Sequence, residues 1–377
     1  MLMSIPQMLC NKQASPILAQ LGELVATNIS LSLRYSLQYP GPALDGRVID
    51  TKGWTGWEWT QGIGLNGIWA YYSITGEEKY LKIIEDWFAH QFAVGSVPKN
   101  VNTMAPFLSL AYLYEKTGNE TYLPWLDTWG EWAYHDLDRT KYGGFQHTTY
   151  VGINEQQLWD DTLMMTVLPL AKIGILLNRP HYVEEAKKQF LIHIKYLFDT
   201  KTGLFYHGWT FEEGGHNFAS AFCARGNSWL TMAITEFLDL ISLPANDPFK
   251  AHLIYALEAQ VEALKAKQLE SGLWPTLVDQ KVEDGSYFEA SATAGFAFGI
   301  LKAQRKRFIG NEYTDTAVRS IKGILANVDS NGELLNTSYG TPMGHTLQFY
   351  KDIPLTLMPY GQAMAIQALV EFLYRFI

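Results

Sequence analysis

The sequence predicts an all-α fold, an (α/α)6 barrel of six inner and six outer helices with long loops and short β-arms on one face, filling residues 1–377 as a single domain. Three observations carry this. One plan repeats along the chain: an apolar helix, a short turn often carrying Gly, then an amphipathic helix. The first helix of each pair is apolar nearly all round and the second carries charge on one face, the signature of an inner and an outer layer. The chain opens on an outer-type helix and ends on an inner-type one, so its two ends complete a sixth pair and favour a closed ring over an open solenoid.

The opening helix is "ASPILAQLGELVATNISLSLRY" at 14–35. Complete pairs follow at 62–92, 101–137 and 159–198, then 226–241 with 247–266, and 291–305 with 313–328. The last helix, "GQAMAIQALVEFLYRF" at 361–376, pairs with the first. Inner-to-outer turns are short, as in "SITGEE" and "EKTGNE", whereas the outer-to-inner connections 36–57, 138–158, 199–224, 267–290 and 329–360 are long. Four of the long ones open alike, with "DRTKYGGFQHT", "DTKTGLFYHGW", "LESGLWPTLVD" and "DSNGELLNTSYG". Gly followed by alternating apolar residues predicts a small hairpin or extended arm in each. All of them enter inner helices at their N-termini and therefore share one face, where long ordered loops on a rigid scaffold tend to carry function.

Composition narrows the class of function. Hydrophobic residues make up 47% of the 377 positions, enough for a large core. The net charge of −9 argues against nucleic acid or an anionic membrane surface as partner. It leaves room for an acidic small substrate, because one local Arg can hold a carboxylate inside an acidic protein. With Cys10 and Cys223 alone, neither a cysteine zinc site nor a disulfide framework is available, which fits a reducing, cytoplasmic setting. The N-terminal "MLMSIPQMLCNKQ" lacks a basic n-region and is a poor secretion signal. No apolar run is long enough to span a bilayer.

The residues at the inner-helix N-termini converge on the loop face. They are Trp57, Glu58, Trp59 and Gln61; Asn102 and Thr103; Trp159, Asp160 and Asp161; Arg225, Asn227 and Trp229; Ser291 and Thr293; and Tyr360 and Gln362. The arms add His147, His207, Trp209, Trp274 and His345. Flat rings with a few fixed polar groups are the makings of a saccharide pocket, and the chain is rich in them, with 12 Trp and 21 Tyr. No GxSxG, HExxH, P-loop or dinucleotide-binding signature stands in a matching context.

One stretch contradicts itself. "QLWDDTLMMTVLPL" at 157–170 is greasy from Leu163 onward, yet two carboxylates stand at its entrance. Asp160 reads as an N-cap for the following turn. Asp161, about 100° further round, is left to face the barrel lumen. There, apolar surroundings would raise its pKa and the helix N-terminus would lower it, the balance wanted in a group that both gives and takes a proton. Arg225 at a helix start opposes the helix dipole, which a bound anion would explain.

The segments "WTGWEWTQGIGLNGIWAYYSITG", "NVNTMAPFLSLAYLYEKTGNETYL", "WDDTLMMTVLPLAKIG", "GLFYHGW", "CARGNSW", "GLWPTLVD", "SYFEASATAGFAFGI" and "MPYGQAMAI" resemble, in order from about residue 50 to the C-terminus, glycoside hydrolase family 105. These are the unsaturated rhamnogalacturonyl hydrolases, relatives of the family 88 unsaturated glucuronyl hydrolases. The resemblance implies an enzyme that acts on a small oligosaccharide made by a polysaccharide lyase, whose non-reducing uronate carries a C4–C5 double bond. Such an enzyme protonates C4 and adds water at C5; the hemiketal rearranges and the aglycone departs, with no cofactor and no metal. One residue can serve as acid and base, so the usual carboxylate pair is not required. The family's D-[TCL]-L-[FM]-M motif matches Asp161 to Met165, which makes Asp161 the general acid/base and places Asp160 and Met165 beside the substrate. The matches at His207 and at Arg225, Asn227 and Trp229 imply that Arg225 and His207 meet the uronate carboxylate and ring hydroxyls, with Asn227 also at the substrate and Trp229 stacking. Trp57, Trp59 and Trp159 are assigned to stacking, with Asn102 and Thr103 nearby. Family 88 relatives carry a second important aspartate where this chain has Val101-Asn102-Thr103, which favours family 105. The segment 338–354 is expected to lie over the mouth. A sugar 2-epimerase on the same scaffold would need paired histidines on inner helices, and a noncatalytic sugar-binding protein would not need Asp161 and Arg225 together.

Overall fold

The computed structural model describes residues 50–95 and 97–376. The helix expected at 14–35 lies outside the described residues. Six inner helices are present: α1 (Trp59–Thr75), α3 (Phe107–Thr117), α5 (Leu168–Leu176), α7 (Ala224–Ile241), α9 (Ala290–Arg305) and α12 (Pro359–Phe376). Five outer helices alternate with them: α2 (Glu78–Val94), α4 (Leu123–Glu131), α6 (Pro180–Leu197), α8 (Pro248–Lys267) and α10 (Thr314–Ala326). A short helix, α11 (Leu347–Lys351), sits in the last long loop.

The inner helices pack in ring order, α1 on α3, α3 on α5, α5 on α7, α7 on α9 and α9 on α12, and α12 returns to α1. That last contact closes the barrel and excludes an open solenoid. It is close enough that a Cβ on Gly67 of α1 would lie 2.6 Å from the Cβ of Ala363 of α12. Layer identity follows composition: in α9 every residue but Arg305 is buried, whereas α10 buries only Thr316, Ala317, Ser320, Ile321, Gly323 and Ile324. That i, i+4, i+8 spacing is one face of an amphipathic helix.

The four arms repeat one turn. Gly143, Gly203, Gly272 and Gly332 each adopt a left-handed φ, between 77° and 83°, that a side chain would disfavour. Across the turns, the N–H of Thr140, Asp199, Leu269 and Asp329 bonds the carbonyl of Gly144, Leu204, Leu273 and Glu333 at 2.8–3.0 Å. The expected hairpins are thus reduced to single bridges such as Arg139 with Phe145, Phe198 with Phe205 and Val328 with Leu334. The two-stranded sheet of the described residues forms between neighbouring arms instead. In it β1 (Gln157–Trp159) runs antiparallel to β2 (Gly208–Thr210), with Trp159 opposite Gly208. Leaving β1, the chain enters a π-helical turn, Leu163–Val167, before α5. Pro169 has no N–H to give the carbonyl of Met165, and the Leu168 N–H bonds Leu163 instead, which widens the turn.

Candidate active site

The loop face holds a cavity of about 350 Å³. Its floor and walls come from inner-helix starts and arms: Glu58, Trp59, Asn102, His147, Trp159, Asp161 and Arg225. Its roof is the last long loop, Tyr339 to Pro342 and Phe349 to Pro354, so the segment 338–354 does lie over the mouth.

Asp161 is placed by the β1–β2 pairing. Because Trp159 lies opposite Gly208, the next N–H, that of Asp160, bonds the His207 carbonyl at 3.1 Å. This fixes the His207 ring beside the acids, with its Nε2 3.5 Å from Asp161 Oδ2. The His207 Nδ1 lies 2.8 Å from the Tyr350 hydroxyl, which itself receives the Gly344 N–H at 3.1 Å. A Tyr350 O–H turned to donate to Nδ1, rather than to Met343 Sδ at 3.7 Å, puts the hydrogen of a neutral ring on Nε2, facing Asp161. His147 stacks on Trp159, centroids 4.3 Å apart and planes 11° from parallel, and its Nδ1 meets Thr162 Oγ1 at 2.8 Å. Burial holds the His147 pKa down at about 4.

The two acids have opposite environments. Asp160 is wholly buried, lines no part of the cavity, and neither of its oxygens has a hydrogen-bond partner. The capping expected of it does not occur, and the corrected reading follows from the contacts. A carboxyl taken from water without a donor cannot stay ionised, and burial, then the charge of Asp161, push its pKa well above the usual carboxylate range. Burial would raise Asp161 too. There the neighbouring His207 ring, then His147 and Asp160, outweigh burial and hold its pKa below the usual carboxylate range. Asp160, Asp161 and His207 each bring one polar atom within 4.8 Å of the other two. Asp160 is covered, so of the two acids only Asp161 opens on the cavity.

Arg225 is 2% exposed. Its Nη2 donates to Glu289 Oε1 at 2.6 Å, Ser291 Oγ at 2.5 Å and Ser338 Oγ at 2.9 Å, and its guanidinium lies over the Tyr360 ring at 4.3 Å. The anion that offsets the helix dipole is therefore the Glu289 carboxylate, a residue the sequence reading passed over. Glu289 also caps α9, accepting the Ala292 N–H. The Arg225 Nε and Nη1 are buried and have no hydrogen-bond partner in the described structure, and the residue lines the cavity. Glu58, 2% exposed, accepts the Trp59 N–H at 3.0 Å and caps α1. Burial outweighs that hydrogen bond and pushes its pKa up to about 8, so a proton-bearing carboxyl lines the cavity at neutral pH.

Of the residues expected to touch substrate, Trp59, Asn102, Trp159, Asp161 and Arg225 line the cavity. The others support it from behind. Trp57 packs among Trp87, Phe107 and Trp129 and donates to the Thr103 carbonyl at 2.9 Å. Thr103 closes a buried turn through Asn100 and Pro98. Asn227 clasps the backbone of Phe205, at 2.9 and 2.7 Å, and so anchors the arm that carries His207. Trp229 meets Trp59 edge-on at 6.1 Å, and Met165 is buried in the π-helical turn. His147 and Glu58 were visible in the sequence as mouth residues without a role. Tyr339 and Asp352 fall in the segment expected over the mouth, but neither was singled out within it.

Known proteins match this geometry. The model of Glycosyl Hydrolase Family 88 matches residues 41–376. An unsaturated rhamnogalacturonyl hydrolase, YesR of Bacillus subtilis, is 30% identical over 320 residues, 84% of this chain and 90% of that protein. The crystal structure of a possible member of the GH105 family from Klebsiella pneumoniae superposes with a TM-score of 0.90 at 55% identity, covering 95% of this chain and 94% of that one. A heparin-specific unsaturated glucuronyl hydrolase shares the fold, with a TM-score of 0.72 at 17% identity over 95% and 97% of the two chains. Among the described residues no helix is long and apolar enough to cross a membrane. Neither an epimerase nor a noncatalytic scaffold is supported by these relatives, and the two histidines nearest Asp161 ride on arms, not on inner helices. The chain belongs to the Glycosyl Hydrolase Family 88, with near neighbours in family 105, and is a glycoside hydrolase.

Proposed function

We propose that the enzyme removes the 4,5-unsaturated uronate from the non-reducing end of lyase-generated oligosaccharides of rhamnogalacturonan type. The observation that carries this reading is the pairing, in one aromatic-walled cavity, of the Asp161 carboxyl with a buried guanidinium that retains unused donors. Arg225 holds the substrate carboxylate and fixes the ring, and Trp59 and Trp159 flank its apolar face. Asp161 delivers a proton to C4, the electrons of the double bond forming the new C–H bond. Water adds to C5 and returns a proton to Asp161. The hemiketal opens to a ketone at C5, and the hemiacetal left at C1 releases the aglycone. Asn102 is the cavity residue where relatives of family 88 carry an acid, which leaves a single cavity-facing aspartate on the inner-helix starts to do both proton transfers.

The chain is read as one catalytic barrel, working in the cytoplasm on fragments of pectin. Two cysteines, one of them the buried Cys223, suit a reducing compartment. The test is the ultraviolet absorbance of lyase-cut fragments. The conjugated chromophore should disappear on adding enzyme to rhamnogalacturonan fragments, and more slowly with heparin, chondroitin or alginate fragments. Binding without loss of absorbance for all four would overturn the reading.

A further inference from the structure

We propose that Asp160 and Asp161 share one proton, and that Asp160, which cannot touch substrate, acts through Asp161 by holding that proton between turnovers. The inference rests on the hydrolase reading above and deepens it. A general acid must carry a proton when substrate arrives, yet the surroundings of Asp161 favour its carboxylate. Its Oδ2 faces the His207 Nε2, and His147 adds to the same side. The proton has to be stored nearby. Asp160 is the adjacent residue, fully buried, with both oxygens lacking any partner, and an oxygen of it lies within 4.8 Å of Asp161 and of His207. The opposite wall is α7, where Gly226 comes so close that a Cβ there would lie 1.9 Å from Asp160 Oδ2. No hydroxyl, amide or cation can enter that side to compensate an ionised Asp160. The titratable groups facing it are Asp161, His207, Cys223 and Tyr350, and burial pushes the Cys223 thiol up to about 12 and the Tyr350 hydroxyl higher still, so neither competes as the acid.

The proton balance closes over one cycle. A side-chain rotation brings the two neighbouring carboxyls to hydrogen-bond distance, and the Asp160 O–H bond breaks as an O–H bond forms on Asp161. That proton passes to C4 as the double-bond electrons make the C–H bond. The water that bonds to C5 gives up one proton to Asp161, and the pair regains its single proton. Nothing else is consumed but the water.

The experiment compares wild type, Asp160→Asn and Asp161→Asn across pH on unsaturated fragments, with melting temperature taken on each preparation. An amide at 160 keeps the shape and a donor but has no proton to pass. Asp160→Asn should lower kcat at neutral pH at least tenfold, leave KM within about twofold, and regain kcat as the pH falls far enough to protonate Asp161 directly. Asp161→Asn should be inactive at every pH. Asp160→Asn with wild-type kcat and pH profile would overturn the proposal, and so would loss at every pH together with an active Asp161→Asn, which would make Asp160 the acid itself. Should Asp160→Asn fail to fold, wild type alone decides: the shared proton must sustain kcat well above the ordinary carboxylate range, and a kcat already lost below neutral pH would refute it. A wild type that leaves the chromophore untouched fails the hydrolase reading and this inference together, whereas an active wild type matched by Asp160→Asn fails this one alone.

Discussion

Arg225 carries two roles on one guanidinium, and substitution can separate them. Its Nη2 is spent on Glu289, Ser291 and Ser338, while the buried Nε and Nη1 have no partner and are the donors proposed for the substrate carboxylate. Both charged side chains are buried, 3% and 1% exposed, so removing Arg225 strands the Glu289 carboxylate. Breaking such a pair costs roughly 3–5 kcal/mol. Glu289 keeps the Ser291 hydroxyl and the Ala292 and Ser338 N–H groups, which favours the low end. Arg225→Ala should therefore lose about 3 kcal/mol, a fall of about 4 °C in Tm for a chain of this size. It should also forfeit a charge-assisted contact with the substrate carboxylate, worth roughly 1.5–3 kcal/mol, and so raise KM about ten- to a hundredfold. Two further variants divide these effects. Arg225→Lys keeps a cation beside Glu289, so Tm should recover much of the loss while KM stays high, because an ammonium cannot reach both ways as the planar fork does. Glu289→Gln should lower Tm yet leave KM within about threefold, since the donors facing the cavity are untouched. Melting curves and initial rates on the same preparations give both readouts. An Arg225→Lys enzyme with wild-type KM would refute the binding role, and the substrate carboxylate would have to be held elsewhere.

Further outcomes follow from other side chains of the cavity. Asp161→Asn should cut kcat by roughly 10²–10⁴-fold with little change in substrate affinity measured by calorimetry; near-normal turnover would remove it as the acid. Glu58 holds its proton to about pH 8 when folded and releases it near its ordinary value of 4.5 when unfolded. Raising the pH between those values therefore favours the unfolded chain, and the penalty reaches a few kcal/mol, on the order of 1.4 per pH unit. The Tm difference between Glu58→Gln and wild type should accordingly grow in favour of the variant from about pH 5 to about pH 8 and then level off. A difference independent of pH would show Glu58 to be ionised in the fold. A chelator should leave kcat unchanged, because vinyl-ether hydration needs only a proton and water; activity lost and then restored by one added metal would contradict that.

The helical layers were legible because periodicity reports burial directly. An inner helix such as α9, covered on every side, leaves no polar stripe in the sequence, and an outer one such as α10 leaves a clear one. The arms were legible as a repeat, since four glycines at one turn position are demanded by a single left-handed backbone. Their pairing was not, because the bond between β1 and β2 joins residues about fifty positions apart and is set by how the barrel brings two arms together. The same limit separates Asp160 from Asp161. Adjacent residues of identical type carry identical local information, and helix geometry can say only that they point apart. What makes one a covered carboxyl and the other a cavity-facing carboxylate lies on other elements: Gly226 of α7 pressed against the first, and the His207 arm turned toward the second. The pairing of Arg225 with Glu289 is of the same kind. A sequence reading can find that a cation at a helix start wants an anion, but whether that anion is a ligand or a residue 64 positions on is decided by the ring of inner helices, which sets the start of α9 beside the start of α7. Here Glu289 takes one nitrogen and fixes the plane of the guanidinium. If Arg225 binds the substrate carboxylate as proposed, a guanidinium so held loses little further freedom on binding, which is the physical advantage of an already paired arginine over an unpaired one.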